Sequence, residues 1–283
     1  MGKITYLDNT ELESIFVDGV IASDIIKLRS SDNRVILGHF EENKFIGKGY
    51  ELTPHGHLYI GILEVENQLI NNHQPILSHI MKHGTGVLHF KDGSKYEGFF
   101  QDNKIEGLGK INYYDGGIYE GNFSNNVRNQ FGKMKYNNGD VYEGEWKNGK
   151  RWGKGIYTKP SGEEYSGDWE NDFRQGNGKL VLNTKYFYDG EWFNDKKNGR
   201  GIENFRNEES YYGDFKDGLK DGKGLFVFKN GDTYKGEWKN DKMHGEGCLI
   251  TSGGEEVVAK WENGLIAKNG QDKDQKDKNC IIF

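Results

Sequence analysis

The sequence predicts an all-β fold, an elongated single-sheet repeat array of stacked antiparallel β-hairpins. Two observations predict it: a repeat with a step of 23 residues, and an alternating aromatic–glycine–aromatic strand in each copy. The clearest copy runs from Tyr142 through Gly144 to Trp146 and continues at the glycine pair Gly153 and Gly155. A fixed period in this range is the sequence signature of a repeat architecture. The chain is therefore expected to form one array with end pieces.

The repeat positions are the predicted structural core, and they keep their step through seven copies and a weakened eighth. The first aromatics are Tyr96, Tyr119, Tyr142, Tyr165, Tyr188, Tyr211 and Tyr234. The glycines that follow them are Gly98, Gly121, Gly144, Gly167, Gly190, Gly213 and Gly236. The second aromatics are Phe100, Phe123, Trp146, Trp169, Trp192, Phe215, Trp238 and, in the eighth copy, Trp261.

The composition fits an array whose buried surface is aromatic. Only 34% of the 283 residues are hydrophobic, the mean hydropathy is -0.86, and aromatics reach 13%. Aromatic rings, rather than Leu and Val, must therefore supply most of the buried surface. The net charge of -6 argues against a nucleic-acid binder, because phosphate binding needs a concentrated basic face.

The sequence also bounds the cellular context. No apolar run is long enough to span a bilayer, and the N-terminus lacks the apolar core of a signal peptide. The chain is therefore expected to be neither membrane-spanning nor secreted by the usual route. Cys248 and Cys280 do not suggest a disulfide framework, which favours a reducing compartment.

Residues 1–35 are predicted to form a β-rich N-terminal cap. Ser14-Ile15-Phe16-Val17 and Val20-Ile21-Ala22 are typical of two short strands around a turn at Asp18-Gly19. Repeat arrays need atypical ends, because an unmodified last copy would expose its packing face.

Residues 36–83 are predicted to hold divergent copies with an insertion. Gly38 and Gly61 keep the 23-residue step, but Tyr59 and Tyr96 are separated by 37 residues, one period plus 14. The segment from about Glu64 to Lys82 is therefore interpreted as a degenerate copy and an insertion. A short helix is predicted at residues 75–81.

Residues 84–265 are predicted to be regular copies of two strands each. Alternation places the aromatics and the glycine of the first strand on one face. Turn pairs such as Asn148-Gly149 tolerate the positive φ that two-residue hairpin turns require. The second strand begins at a glycine pair, and the glycines are expected to let an aromatic ring lie over the backbone.

The motif resembles the MORN repeat (membrane occupation and recognition nexus), whose unit runs Y-E-G-E-W-x-N-G-x-x-x-G-x-G. Residues 142–155 match it almost position by position; the resemblance is strong over 84–265 and weaker back to about residue 36. It implies a scaffold in membrane-associated, cytoskeletal or ciliary assemblies, with acidic phospholipids, phosphoinositides among them, as further ligands. Four departures predict local irregularity and a C-terminal cap: Gln130 for a glycine, Glu203 at an apolar position, Val257 for Tyr and Ala259 for Gly.

Residues 266–283 are predicted to be a flexible polar tail ending in a CaaX-like box, Cys280-Ile281-Ile282-Phe283. The aliphatic pair and the polar linker predict prenylation of Cys280, and the final Phe favours a geranylgeranyl group. The alternative is an unmodified cysteine. Because one prenyl chain anchors a protein only marginally, a second signal from the array or from a partner is expected.

Other candidate sites have plainer interpretations. His79 and His83 are four residues apart and would share one face of a helix, but the glutamate of a zincin motif is missing. Surface histidines are the favoured interpretation. Acids beside the first aromatics, such as Glu97 and Asp189, recur with the period and indicate a solvated charge row. No catalytic residue, metal site or cofactor is predicted.

The preferred function is a non-enzymatic scaffold that a prenyl group on Cys280 tethers to the cytoplasmic face of a membrane. Its expected partners are proteins along the array and acidic phospholipids, with no nucleic acid. The alternative is a structural component of a cilium or of the cytoskeleton, in which the CaaX-like box is incidental. A regulatory subunit of a lipid kinase ranks third and rests on the resemblance alone, because MORN repeats also accompany lipid kinases.

Overall fold

The structure is a computed structural model that describes residues 2–5, 9–14, 16–17, 20–21, 25–41, 44–65, 70–71, 74–75, 80–183 and 185–267. Every described element is a β-strand, and hydrogen bonding joins 23 strands in one antiparallel sheet. The predicted all-β array of stacked hairpins is therefore confirmed. In the described residues, no helix is long and apolar enough to cross a membrane.

The chain divides into two compact units, residues 1–139 with 146–149, and residues 140–145 with those from 150 onward. The strands of the first unit are β1 (Gly2–Thr5), β2 (Glu11–Ser14), β3 (Phe16–Val17), β4 (Val20–Ile21), β5 (Ile25–Arg29), β6 (Val35–Glu41), β7 (Lys44–Leu52), β8 (Leu58–Val65), β9 (Ile70–Asn71), β10 (Gln74–Pro75), β11 (Ile80–His89), β12 (Lys95–Gln101), β13 (Lys104–Asn112), β14 (Ile118–Ser124) and β15 (Val127–Lys135). The next strand, β16 (Val141–Lys147), has residues in both units.

The strands of the second unit follow in a simple meander, each antiparallel to the next. They are β17 (Lys150–Thr158), β18 (Glu164–Glu170), β19 (Phe173–Asn183), β20 (Tyr186–Phe193), β21 (Lys196–Asn204), β22 (Ser210–Lys216), β23 (Leu219–Val227), β24 (Thr233–Lys239), β25 (Lys242–Ile250), β26 (Glu256–Glu262) and β27 (Leu265–Ile266).

The N-terminal segment continues the sheet with hairpins of its own. β3 and β4 pair with Phe16 opposite Ile21 and Val17 opposite Val20, as the sequence predicts. β2 pairs with β1 on one side and with β5 on the other, and β5 pairs with β6. Leu12, Ile26 and Leu28 are fully buried there, so aliphatic side chains take the place that aromatic rings have in later copies.

The break in the repeat has a different cause from the one predicted. β8 and β11 pair directly, with Ile80 opposite Val65 and Gly86 opposite Gly61. Tyr59 and Gly86 therefore belong to one hairpin, and the predicted degenerate copy is wrong. The extra residues, 66–79, are an insertion between the two strands of that hairpin.

The short helix predicted at residues 75–81 is also wrong at its described ends. Pro75 lies in β10, and Ile80 and Met81 begin β11, while residues 76–79 lie outside the described part of the chain. β11 pairs with β8 on one side and with β12 on the other. A helix at Ile80 would leave backbone groups of β8 without partners, and such groups are almost always paired when buried.

The hairpins turn and kink at residues with positive φ. In the copy that begins at Tyr234, Asn240 and Asp241 have φ values of 50° and 64°, and Gly245 follows at 57°. The pairing register shifts beside Gly245, which marks a β-bulge. Gln130 has a φ of 56° at the corresponding place. The departure from glycine at Gln130 therefore leaves the backbone conformation unchanged.

Candidate functional site

The face of each hairpin that carries the repeat aromatics and glycines is called here the aromatic face, and the opposite one the outer face. Tyr211 has no exposed surface, and its Oη donates a hydrogen bond to the Asp214 carbonyl oxygen at 3.0 Å. A side chain at Gly213 or Gly224 would overlap with the Tyr211 ring. The glycines are therefore required where the ring crosses the backbone, as the sequence predicts.

The structure places all the predicted repeat residues on this face. Each predicted first and second aromatic is at most 6% exposed. Each predicted glycine lies against the tyrosine two residues before it. Burial raises the pKa of Tyr211 above its usual range and that of Tyr96 to about 12. These side chains are consequently packing groups rather than exposed ligands.

The rings form a continuous row within each unit. The Tyr165 ring packs edge-to-face on Trp169 of its own copy, with centroids 5.1 Å apart, and on Trp192 of the next copy at 5.3 Å. This is the geometry that aromatic pairs favour. The Trp169 Nε1 also donates a hydrogen bond to the Gly155 carbonyl oxygen in the preceding copy. The second aromatic therefore connects neighbouring copies.

A row of cations covers these rings, and the sequence interpretation missed it. The second residue is a cation in five successive returning strands, β15, β17, β19, β21 and β23: Arg128 in the first unit and Arg151, Arg174, Lys197 and Lys220 in the second. The Arg128 guanidinium lies 4.2 Å from the centroid of the Trp146 ring, and its Nη2 donates to the Gly149 carbonyl oxygen. The 23-residue step of these cations was visible in the sequence, but the Trp ring that each of the three arginines covers belongs to the next copy.

Arg151 and Arg174 are held in the same way. The Arg151 guanidinium lies 4.2 Å from the Trp169 ring centroid, its Nε donates to a carboxylate oxygen of Asp172 at 3.1 Å, and its Nη2 donates to the Asp172 carbonyl oxygen. Arg174 repeats the arrangement with Trp192 and Asp195. Three fixed contacts per side chain make these two cations rigid parts of the face.

Lys197 is paired by a residue that departs from the repeat. Glu203, at a position that is normally apolar, is only 5% exposed and forms an ion pair with the Lys197 ammonium. Tyr186 donates its hydroxyl hydrogen to the same carboxylate at 2.6 Å. The polar residue is thus compensated by two partners, and the sheet runs through this copy without the irregularity predicted from Glu203.

Lys220 lies in aromatic surroundings without an acidic partner among the described residues. Its Nζ is 4.7 Å from the Phe226 centroid and 4.8 Å from that of Trp238, with Phe205 and Tyr211 at 5.5 and 5.7 Å. The Asp241 carboxylate instead accepts a hydrogen bond from the Lys220 backbone N–H at 2.9 Å. Burial lowers the pKa of Lys220, because low polarity disfavours the charged ammonium.

An open groove of about 190 Å³ lies on the aromatic face of the second unit. Arg151 and Arg174 border it with Lys159, Glu163 and Asp195, and Leu180 contributes apolar surface. Lys159 and Glu163 form an ion pair of 2.9 Å at its edge. The groove combines groups of both signs with aromatic and aliphatic surface, which suits a side chain of a polypeptide.

The outer face carries alternating charges, as expected for a solvated row. In the first unit Glu97 lies opposite Lys110, Lys110 opposite Glu120, and Glu120 opposite Lys133. A hydrogen bond from Lys95 holds the pKa of Glu97 below its usual range. In the second unit the pattern gives way to adjacent apolar residues, Ile202, Tyr212 and Leu225, each more than a third exposed.

A second set of acids, also missed from the sequence, stabilises the bulges. In four successive first strands, one carboxylate accepts a hydrogen bond of 2.9 Å from a backbone N–H between the two glycines of the pair. These donor–acceptor pairs are Lys154 to Glu145, Asn177 to Asp168, Arg200 to Glu191 and Lys223 to Asp214. Their periodic spacing is the signal that could have identified them.

The remaining candidate residues do not come together. His83 lies in the strand β11, not on a helix, and its Nδ1 is 3.7 Å from Glu64 and 3.8 Å from Asp102. His79 lies outside the described residues. Within the described part of the chain, no group of three or more His, Cys, Asp or Glu could hold a metal ion. Cys280 and the predicted tail beyond residue 267 also lie outside.

Comparison with family models decides the family. The MORN repeat model matches residues 78–95, 96–118, 119–141, 142–164, 165–184, 188–209, 211–233 and 234–255, more than half of the chain. The chain belongs to the MORN-repeat family. The first MORN match, residues 78–95, begins at the end of the insertion and includes β11, the returning strand of the interrupted hairpin. No curated protein matches this MORN-repeat chain.

Solved structures give distant matches. The TCP domain of SAS-4 (dCPAP) from Drosophila melanogaster, in complex with a proline-rich motif of Ana2 (dSTIL), is 16% identical with a TM-score of 0.35, over 62% of this chain and 90% of that one. The TCP10 domain of CPAP from Danio rerio is 11% identical with a TM-score of 0.28, over 92% of this chain and 100% of that one. TM-scores this low support no inference about the MORN array.

Proposed function

We propose that this MORN-repeat chain is a non-enzymatic scaffold that binds a protein partner along the aromatic face of its second unit. The groove between Arg151 and Arg174 carries the proposal. Its volume of about 190 Å³ is below the roughly 300–1,000 Å³ of small-molecule sites. A groove of this size fits a side chain of an extended partner segment.

The chemistry of the groove supports a polypeptide ligand. Arg151 and Arg174 each use Nε and Nη2 within the chain, which leaves the Nη1 groups as donors for a partner. Glu163 and Asp195 supply acceptors beside them. Backbone amides and polar side chains offer both donors and acceptors, so a polypeptide matches this mixture better than a ligand of one charge.

The groove is tested by exchanging the charges of one ion pair. Peptides that bind the purified chain are first selected from a random display library. Their affinity is then measured for the variant Lys159→Glu/Glu163→Lys, which reverses the ion pair at the groove edge. The matched control is Lys179→Asp/Asp189→Lys, which reverses the cross-strand pair of 3.6 Å on the outer face. We expect at least tenfold weaker binding for the groove variant and unchanged binding for the control. Equal effects of the two exchanges would exclude the groove.

We further propose that a prenyl group on Cys280 tethers the scaffold to the cytoplasmic face of a membrane. The support is the match of Cys280-Ile281-Ile282-Phe283 to a CaaX box. The intact mass of the protein isolated from its own cells should show an added isoprenoid and the loss of residues 281–283. Cys280→Ser should move the protein from the membrane fraction to the supernatant. Unchanged membrane fractionation of this variant would refute the tether, and retention on a cilium or cytoskeleton would favour the structural alternative.

Acidic phospholipids are proposed as the second membrane signal. The resemblance to the family motivates this ligand, and a single prenyl chain needs such support. Unprenylated protein should float with vesicles of phosphatidylcholine and a phosphoinositide, but not with phosphatidylcholine alone. Equal recovery with both vesicles would remove the lipid from the proposal and leave the protein-binding groove untouched.

A further inference from the structure

Lys220 differs from the three cations before it in the second unit. Arg151, Arg174 and Lys197 each have a carboxylate partner, whereas the Lys220 Nζ has no hydrogen bond or ion pair with a described residue. We propose that Lys220 and the rings around it bind a carboxylate from a protein partner, in a segment where that acid is flanked by apolar residues. The proposal rests on the aromatic face being the partner-binding surface.

The ammonium group has unused hydrogen-bonding capacity. A lysine carries three N–H donors, and the ring centroids of Phe226, Trp238, Phe205 and Tyr211 lie within 6 Å of the Lys220 Nζ. Ring faces attract a cation but accept hydrogen bonds poorly compared with a carboxylate. An incoming carboxylate would supply both the missing acceptor and the missing opposite charge.

Nearby acids are occupied elsewhere. Glu203 is the ion-pair partner of Lys197, and the Asp241 carboxylate is bonded to the Lys220 backbone N–H. These two groups and a third acid, Glu209, act on Lys220 only at a distance. The lowered pKa of Lys220, caused by burial, is consistent with an ammonium that lacks a direct partner, because a carboxylate in contact would favour the charged form.

The walls of the site are aromatic rings. The ring centroids of Phe205 and Phe226 are 5.9 Å apart, and those of Phe226 and Phe228 are 4.7 Å apart. Lys159 stands two copies before Phe205 in the repeat. Phe205 and Phe228 are only half-buried, so ring surface remains to pack against apolar neighbours of the bound acid. An aromatic ring in the place of that lysine favours an acid in an apolar context.

A membrane surface fits the site less well than a polypeptide. Binding to anionic headgroups relies on clusters of several basic residues near the surface. Here Asp172, Asp195 and Glu203 neutralise the other three cations that the row has in the second unit. A single half-buried ammonium surrounded by rings offers one specific contact rather than a broad positive field. The structure therefore favours one recognised carboxylate.

The site is tested on the full chain labelled with ¹³C at lysine. N-acetyl-Leu-Glu-Leu-amide is the probe, and the Gln analogue of the tripeptide is its neutral control. We expect the acidic tripeptide to shift the Lys220 Cε resonance and to bind at least tenfold more tightly than the Gln analogue. Lys220→Gln should weaken binding at least tenfold, Lys220→Arg only a few-fold, and the exposed Lys216→Gln not at all.

Three outcomes would overturn the site: equal binding of the Glu and Gln tripeptides, equal losses for Lys220→Gln and Lys216→Gln, or no shift of the Lys220 resonance. Inorganic phosphate and vesicles of phosphatidylcholine with phosphatidylserine are titrated separately as sources of anionic groups other than a protein. If either of these shifts the Lys220 resonance and the tripeptide does not, the ligand is not a carboxylate of a protein partner. If the library peptides lose binding in the Lys159/Glu163 exchange but not in Lys220→Gln, this inference fails while the proposed function stands. If neither variant affects them, the proposed function fails.

Discussion

The indole Nε1 of Trp169 donates a hydrogen bond of 3.1 Å to the carbonyl oxygen of Gly155, one copy earlier in the array. Gly155 also lies against the Tyr142 ring of its own copy. One glycine therefore accepts a bond from the next copy while accommodating the ring of its own. This relationship makes the second aromatic the residue that couples neighbours.

Replacing Trp169 by Phe should lower the free energy of unfolding by about 1–2 kcal/mol, since it removes a buried hydrogen bond and leaves its acceptor unpaired. Urea unfolding followed by circular dichroism measures the loss. The reverse change, Phe215→Trp, adds a donor near the Gly201 carbonyl group and should stabilise its copy. Equal stability of Trp169→Phe and the unmodified chain would show that ring packing alone joins the copies.

Gly190→Ala should destabilise the second unit by about 3 kcal/mol or prevent folding, because the new methyl group has no space. Its Cβ would lie 2.5 Å from the Gly201 Cα and 2.6 Å from the Arg200 carbonyl oxygen. The neighbouring change Asp189→Ala removes an exposed outer-face ion pair and should cost less than about 1 kcal/mol. Thermal melting of the two variants tests the contrast, which similar melting temperatures would contradict.

Gln130→Gly should stabilise the chain by about 1 kcal/mol, because Gln130 adopts a φ of 56° that glycine reaches without steric cost. The adjacent change Asn129→Gly, in the extended part of β15, should instead destabilise it by a similar amount. Chemical denaturation of both variants measures their free energies of unfolding. A loss of stability in Gln130→Gly would mean that contacts of the glutamine side chain stabilise the fold by more than its positive φ destabilises it.

Glu203→Leu should lower the free energy of unfolding by about 3 kcal/mol, although it restores an apolar residue to the repeat. The substitution leaves the Lys197 ammonium half-buried without its carboxylate. Adding Lys197→Met to this variant should recover most of the loss, because the unpaired charge is removed as well. A double-mutant cycle in urea measures the coupling, and additive losses would refute it.

Stability should fall at alkaline pH. Burial raises the pKa of Tyr96 to about 12 and raises that of Tyr165 and Tyr234 as well. The unfolded chain ionises these phenols near pH 10, so the stabilisation is complete below about pH 10 and is lost as the pH rises toward the folded-state pKa. We expect unfolding and tyrosinate absorbance to rise together above about pH 10. Gradual tyrosinate formation in a chain that stays folded would contradict this.

The alternating pattern of the sequence contains most of the fold. Tyr211, Gly213 and Phe215 lie on one face because strand side chains alternate, and turn pairs such as Asn240-Asp241 have the positive φ that their residue types allow. These features depend on neighbours in the same hairpin, so the chain order is enough to predict them.

Features that depend on contacts between distant residues were not predicted. The pairing of β8 with β11 across residues 66–79 is long-range, and local patterns favoured a helix there. The partner of Arg151 is Asp172, 21 residues away in the next turn. The contrast between Lys197 and Lys220 likewise depends on which side chain reaches a carboxylate. The spacing of residues along the sequence does not show which side chains meet in the fold.

The insertion between β8 and β11 shows where this architecture tolerates added sequence. Fourteen residues separate the two strands, yet Gly86 still faces Gly61 and Leu88 faces Tyr59. Loop-closure entropy grows only slowly with loop length, so the hairpin tips are suitable places for grafting foreign segments. An engineer could fuse reporter or affinity tags there without touching the rings, and an evolving lineage could lengthen the same tips to acquire new specificities.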